Sequence, residues 1–147
     1  MPKLDLLSAL TATDRDALVA PLDSFSREQG FPWQPNAIAL ALRDDAGTVV
    51  GGLIGQLLWG WLRIEILAVP TELRGQGWGR RLVEEAERLA IAAGCHSAWV
   101  DTFSFQSPGF YHRLGYSEFG RLADYPLGQT RHFLSRRLVP TEQRPAD

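Results

Sequence analysis

Ile64-Glu65-Ile66-Leu67-Ala68-Val69-Pro70, followed after three residues by Arg74-Gly75-Gln76-Gly77-Trp78-Gly79, is the stretch that decides the fold. The apolar run reads as a strand stopped by proline. Beyond the glycines, Leu82, Ala86, Leu89, Ala90 and Ala93 recur at helical spacing, and Gly94 follows as a C-cap. Glycines at alternate positions of a helix start leave backbone N–H groups bare. With the positive end of the helix dipole, those donors form a cradle for an anion, and a phosphate is the natural guest. Arg80 and Arg81 fall in the first helical turn, where each opposes the dipole by roughly 0.3–1 kcal/mol. Arg74 stands just outside. Three guanidinium groups around one helix start are unfavourable alone and favourable around a polyphosphate. The plainer alternative pairs Arg80 and Arg81 with Glu84 and Glu85 and makes Gly75 to Gly79 a turn, which leaves the glycine spacing unexplained. The candidate phosphate-binding residues are therefore Arg74, Gly75, Gln76, Gly77, Trp78, Gly79 and Arg80.

Two familiar glycine motifs do not fit. A Walker loop requires Lys-Ser/Thr after its last glycine, and Gly79 is followed by Arg80-Arg81-Leu82. The dinucleotide fingerprint would need a glycine where Arg80 stands, and a first glycine leaving the strand directly, where Pro70 to Arg74 intervene. Asp101 lies at a suitable distance for a ribose contact, but hairpin-linked strands precede the motif, and a βαβ repeat does not.

The pattern Arg/Gln-x-x-Gly-x-Gly/Ala is the pyrophosphate loop of the GNAT acetyltransferases, and Arg74, Gly77 and Gly79 match it. Phe110-Tyr111-His112-Arg113-Leu114-Gly115-Tyr116 resembles the family's aromatic-Tyr-x-x-Leu-Gly-aromatic segment. The resemblance covers residues 36–138. Asp101 to Gln106 and Asp124-Tyr125-Pro126 are similar to a bacterial subgroup of small stand-alone enzymes. The resemblance implies acetyl-CoA as acyl donor, with no metal, and two central parallel strands that splay into a cleft. It places Leu67, Ala68 and Val69 along the pantetheine arm, where backbone groups of Leu67 and Val69 would extend the sheet onto the cofactor. Gln106 stands near a pantetheine-contacting asparagine of the family. Many members dimerise, so a homodimer is an expectation.

At 147 residues the chain has room for one domain, 1–147, with residues 140–147 as a frayed tail. A net charge of -2 and a pI of about 5.9 give no electrostatic footprint for nucleic acid. No apolar run approaches the ~20 residues of a membrane span, and Met1 to Asp5 lack the apolar core of a signal peptide. Cys95 stands alone, which fits a cytoplasmic protein and reads as a small core or loop residue. His96, His112 and His132 lack metal-ligand spacing.

Residues 3–8 are expected as an edge strand. Thr13 is expected to cap a helix over 14–20, and Pro21 to start a second helix that Gly30 ends. Strands are expected over 37–43, 48–58 (bent at Gly51-Gly52), 61–69 and 98–102, the last parallel to 61–69. A helix over 77–93, a short one over 107–113 and a closing hairpin of strands near 116–121 and 131–138 complete the pattern. The fold class is α+β: a mixed, mostly antiparallel central sheet with flanking helices.

Acyl transfer from a thioester to an amine poses two proton problems. An alkyl ammonium with a pKa of about 10.4 must lose a proton before attack. Glu65 alternates in register with Leu67 and Val69, so it is expected on their side of the strand as general base through a water. Its plainer role is a salt bridge to Arg63. The departing thiolate needs a partner, and Tyr111, at the motif's tyrosine, can hydrogen bond to it as charge develops, or else be a core aromatic. The acceptor pocket is expected from the aromatics Trp33, Trp59, Trp61, Phe103, Phe105 and Tyr125, above all Trp33, Phe103 and Tyr125. Together these point to an N-acetyltransferase acting on a primary amine, of a small molecule first, by direct attack in a ternary complex. A protein amino terminus or lysine as acceptor, and a non-catalytic acyl-CoA-binding sensor, are the alternatives.

Overall fold

Trp59 and Gly60 take positive φ angles of 48° and 83°, the backbone of a two-residue reversal whose twist matches that of the strands it joins. Those strands are β2 (Val49–Leu58) and β3 (Trp61–Ala68), and with β1 (Asn36–Arg43) they form an antiparallel meander. The chain then passes through a 3-10 turn at Thr71–Leu73 into α2 (Trp78–Ala92), and returns as β4 (Ser97–Phe103), parallel to β3. A short helix, α3 (Pro108–Arg113), precedes the hairpin of β5 (Ser117–Ala123) and β6 (Thr130–Arg137). The sheet order is β1-β2-β3-β4-β6-β5, with β3 and β4 its parallel pair. The fold is therefore the expected α+β arrangement, a mostly antiparallel mixed sheet with helices beside it.

The computed structural model describes residues 1–140, in two compact units, Met1–Gln34 and the part from Pro35 on. In the larger unit the amphipathic face of α2 (Leu82, Val83, Ala86, Ala90) packs on Leu53, Leu62, Ile64, Ala98, Val100 and Leu134. Cys95 is part of this core, where burial pushes its thiol pKa up, so it is a packing residue. Glu87, also buried on α2, accepts from the Tyr116 hydroxyl at 3.0 Å and from Arg136 at 3.2 Å. Burial raises its carboxyl pKa against the pull of Arg136 and Tyr116. The last aromatic of the Phe110–Tyr116 motif thus ties α2 to the sheet.

Of the three register slips in the sheet, two shape the region around β2 and β3. Beside Gly51 the β1–β2 register slips, leaving Val50 as the extra residue. A Cβ on Gly51 would stand 2.3 Å from the Ala68 carbonyl oxygen, and one on Gly52 (φ +147°) 1.9 Å from that of Leu40, so the glycine pair permits close backbone approach next to the bulge. The second slip falls between Ile54 and Gly55, which face Ile66 and Ile64, so Glu65 is the extra residue of β3. Leu62 and Ile64 turn to the core before it, Leu67 and Val69 after it. The unbroken alternation expected along 61–69 therefore changes phase at Glu65, which does not share the side of Leu67 and Val69 that its register predicted.

The N-terminal unit differs from expectation in two ways. Residues 3–8 form no strand. One helix, α1 (Ala12–Glu28), stands in place of two, with Pro21 inside it. Its cap is Thr11, not Thr13: the Thr11 hydroxyl accepts from the Asp14 N–H at 3.1 Å, while the Asp14 carboxylate faces back to the Thr11 N–H at 3.4 Å. This capping box fixes the first turn. Pro21 then removes only the bond to the Ala17 carbonyl, and the helix runs through it. The tail expected over 140–147 lies outside the described residues after Pro140.

Candidate active site

Pairing between β3 and β4 ends at Ile64 and Val100, although each strand continues for several residues. A cleft of about 860 Å³ occupies the gap. The Ala68 carbonyl oxygen turns toward Gly51 on β2, so by strand alternation the backbone groups of Leu67 and Val69 turn to the cleft edge. Leu67 and Val69 line the cleft, and Ala68 does not. The Val69 carbonyl is already engaged by Arg74 Nε at 3.1 Å, which ties the loop to the strand end. Beyond the paired stretch this leaves both backbone groups of Leu67 and the N–H of Val69 facing the cleft edge.

At the head of the cleft, no N–H group from Gly75 through Arg80 makes a close backbone hydrogen bond among the described residues. Gly75 and Gly77 sit at φ 73° and 83°, the left-handed region that glycine reaches without strain. A Cβ on Gly77 would meet only open space, so its neighbours do not require glycine there. Gly79 has a different reason: a Cβ would come within 3.1 Å of the Phe110 ring, which packs over the first turn of α2. Gln76 points away from the cleft and donates to the Glu72 carbonyl at 3.2 Å. Arg80 lines the cleft and pairs with Glu84 at 3.3 Å, both largely exposed. Arg81 does not pair with Glu85, lying instead over the Trp78 ring at 4.2 Å. Arg113 adds a cationic group from α3, one not anticipated from the sequence.

Glu65 lines the floor of the cleft with its side chain exposed and makes no ion pair among the described residues. Arg63 lies over the Trp99 ring at 4.9 Å instead of pairing with it. Tyr111 reaches the cleft from α3, 6% exposed, its ring edge-on to Phe110 and Tyr116. Its hydroxyl has no hydrogen-bond partner among the described residues. Burial, and then the negative charge of Asp101, push its pKa up to about 12. Gln106 lines the same wall, its amide oxygen accepting from the Phe103 N–H at 3.1 Å and the Thr102 hydroxyl at 3.2 Å, which leaves its NH2 for the cleft. Among the described residues no group of three His, Cys, Asp or Glu side chains is placed to hold a metal ion, and no helix is long and apolar enough to cross a membrane.

The three expected acceptor aromatics separate. Trp33 belongs to the N-terminal unit. Phe103 and Tyr125 stack on one another at 5.7 Å without lining the cleft, while Phe105, stacked on Phe103 at 5.4 Å, does line it. Asp101, expected in no acceptor role, also lines the cleft and is held by Arg131. Nothing in the spacing of residues 101 and 131 announces that pair, because it forms only when β6 docks on β4.

The Acetyltransferase (GNAT) family model matches residues 7–116. A blasticidin-S acetyltransferase of Streptomyces morookaense is 42% identical over 95 residues, 64% of this chain and 70% of that protein. A crystal structure from Agrobacterium tumefaciens, assigned to the acetyltransferases, has a TM-score of 0.84 at 30% identity, covering 92% of this chain and 99% of its own. An aminoglycoside 6'-N-acetyltransferase solved with coenzyme A has the same fold, with a TM-score of 0.64 at 19% identity over 89% of this chain and 91% of its own.

If the bare N–H groups of the loop hold a pyrophosphate, Gly77→Val fills the space it needs and adds about 1–3 kcal/mol of backbone strain. The variant is expected to melt lower, to remain folded, and to lose measurable coenzyme A binding by calorimetry. A folded variant with the parent's affinity contradicts the site.

Proposed function

The chain belongs to the GNAT family of acyl-CoA N-acyltransferases, and we propose that it moves an acetyl group from acetyl-CoA to a primary amine of a small molecule by direct attack in a ternary complex. The observation that carries this reading is the cleft between β3 and β4. It joins a row of bare N–H groups, an unpaired strand edge, a carboxylate and a phenol in one continuous space. These features suit the donor. Loop N–H groups and the α2 dipole take the pyrophosphate, with Arg74, Arg80 and Arg113 nearby. Leu67 and Val69 offer the strand edge to the pantetheine amides, and the Gln106 NH2 offers a further donor. Support for a small-molecule acceptor comes from the relative named for blasticidin-S.

Bound acetyl-CoA supplies an acyl group activated as a thioester. Glu65, exposed on the cleft floor, receives the amine's proton through a water, and its charge draws the ammonium form in. The Tyr111 hydroxyl donates a hydrogen bond to the departing sulfur. With its pKa pushed up to about 12, full transfer to a thiolate whose acid lies near 8.5 is uphill by about 3.5 units, or roughly 5 kcal/mol. Tyr111 therefore stabilises charge without giving up its proton. The same shift keeps the phenol in its donating form across the working pH range.

The reading is tested by following coenzyme A release with acetyl-CoA and a panel of amines. Glu65→Gln should lower the rate at neutral pH and regain part of it at high pH, where free amine is plentiful. A pH–rate profile parallel to the parent's would remove Glu65 from the mechanism. Tyr111→Phe keeps the ring, so coenzyme A affinity should hold while kcat falls by roughly 10²–10⁴-fold with little change in KM. Full turnover in that variant would make Tyr111 a packing residue. A parent that binds coenzyme A and acetylates no amine would be a sensor and not an enzyme.

A further inference from the structure

Side-chain alternation on β4 gives the cleft two sides. Val100 and Thr102 are buried, Val100 in the core under α2, while Asp101 and Phe103 face the other way. The phosphate-accepting loop opens at the start of α2, so the Asp101 side is the one left for the acceptor. Asp101 is fixed there unusually well. Its Oδ2 accepts from both Arg131 Nε at 2.7 Å and Arg131 Nη2 at 2.6 Å. The Arg131 guanidinium is itself packed against the Tyr125 and Phe103 rings at 5.0 and 5.4 Å. The other carboxylate oxygen, Oδ1, has no partner among the described residues, although the side chain is only 14% exposed and lines the cleft. A half-buried acceptor left unmatched is a group that a ligand can satisfy. Beside it, Phe105 lines the cleft with 60% of its surface exposed, at the end of the stack it forms with Phe103 and Tyr125. An exposed ring on a rigid stack is a shelf for a flat group.

We propose that Asp101 and Phe105 form the acceptor site: Asp101 Oδ1 takes one N–H of the amine, and the Phe105 shelf carries a planar group on the same molecule. Resting on the acetyltransferase reading above, this assigns the acceptors to primary amines borne on aromatic or heteroaromatic small molecules. The division of labour follows from charge. Arg131 holds Asp101 Oδ2 with two hydrogen bonds, which makes Oδ1 an oriented acceptor, whereas Glu65 has no such partner among the described residues and takes the other N–H through its water. The nitrogen lone pair is left for the thioester carbon. Nitrogen–carbon bond formation then proceeds with carbon–sulfur cleavage, the proton passing to Glu65 and the electron pair to sulfur.

The test uses 2-phenylethylamine and n-butylamine as probes, with saturating acetyl-CoA. The parent should favour the aromatic amine in kcat/KM by about tenfold or more. In Asp101→Asn the amide oxygen must face the Arg131 donors, which turns the NH2 toward the incoming N–H, donor against donor. KM for both amines should rise by about 10–100-fold, with kcat changed little and coenzyme A affinity unchanged. Phe105→Leu removes an exposed ring, so folding is not at stake. It should abolish the preference for 2-phenylethylamine, read as the ratio of kcat/KM for the two amines. An active parent without the aromatic preference, or a folded Asp101→Asn variant with the parent's KM, overturns this assignment and leaves the acetyltransferase reading intact. If Asp101→Asn does not fold, Phe105→Leu decides, and retention of the preference overturns the assignment. A parent that releases thiol with no amine overturns both.

Discussion

One extra residue in β3 governs the geometry on which everything else depends. Glu65 has no opposite number on β2, and a strand with such an insertion bends and twists more sharply than its neighbour. The parallel pairing with β4 stops at Ile64, the residue before it. Beyond that point the two strands diverge, and backbone groups that would have bonded across the sheet are left facing a cleft. Leaving such groups unmatched would be costly in a dry interior, and here they face space that a ligand can fill. The same insertion places the Glu65 carboxylate at the floor of the gap. Strand edge, cleft and acid have a common origin.

The glycines of the loop divide by physical cause. Gly75 and Gly77 are required by positive φ, and the space a side chain would fill at Gly77 is open. Gly79 is required by the Phe110 ring packed against it. The second cause links the two sequence motifs, since Phe110 and Tyr111 are adjacent on α3. The contact that seats α3 against the α2 start also carries the Tyr111 hydroxyl to the cleft. One packing contact thus links the glycine loop to the position of the Tyr111 hydroxyl.

Most of the sheet and the helix after the loop were legible because period-two and period-3.6 apolar patterns are local signals, as are the glycine and proline boundaries. The GNAT resemblance carried the rest of the fold. The N-terminal helix departs from expectation because Thr11 and Asp14 have the spacing of a capping box, and with the first turn so fixed Pro21 need not begin anything. The phase change at Glu65 was hidden because Ile64, Ile66 and Leu67 are all apolar, and an insertion in a uniformly apolar run leaves the pattern intact. The candidate donor-side residues were largely brought together, apart from Ala68 and Gln76, which turn away from the cleft. The acceptor side was legible only as a class. Of the aromatics expected there, Phe105 reaches the cleft while Phe103 and Tyr125 stand behind it, and the Asp101–Arg131 pair depends on β6 lying against β4.

The cleft is proposed to receive the acyl donor through bare backbone groups at the α2 start and along the β3 edge. Amide hydrogen exchange with and without coenzyme A reads those groups individually. Protection should appear at Gly75 through Arg80 and at Leu67 and Val69, with little change on the outer strands β1 and β5. Coenzyme A binding that leaves the loop and the β3 edge exchanging as in the free protein would contradict it.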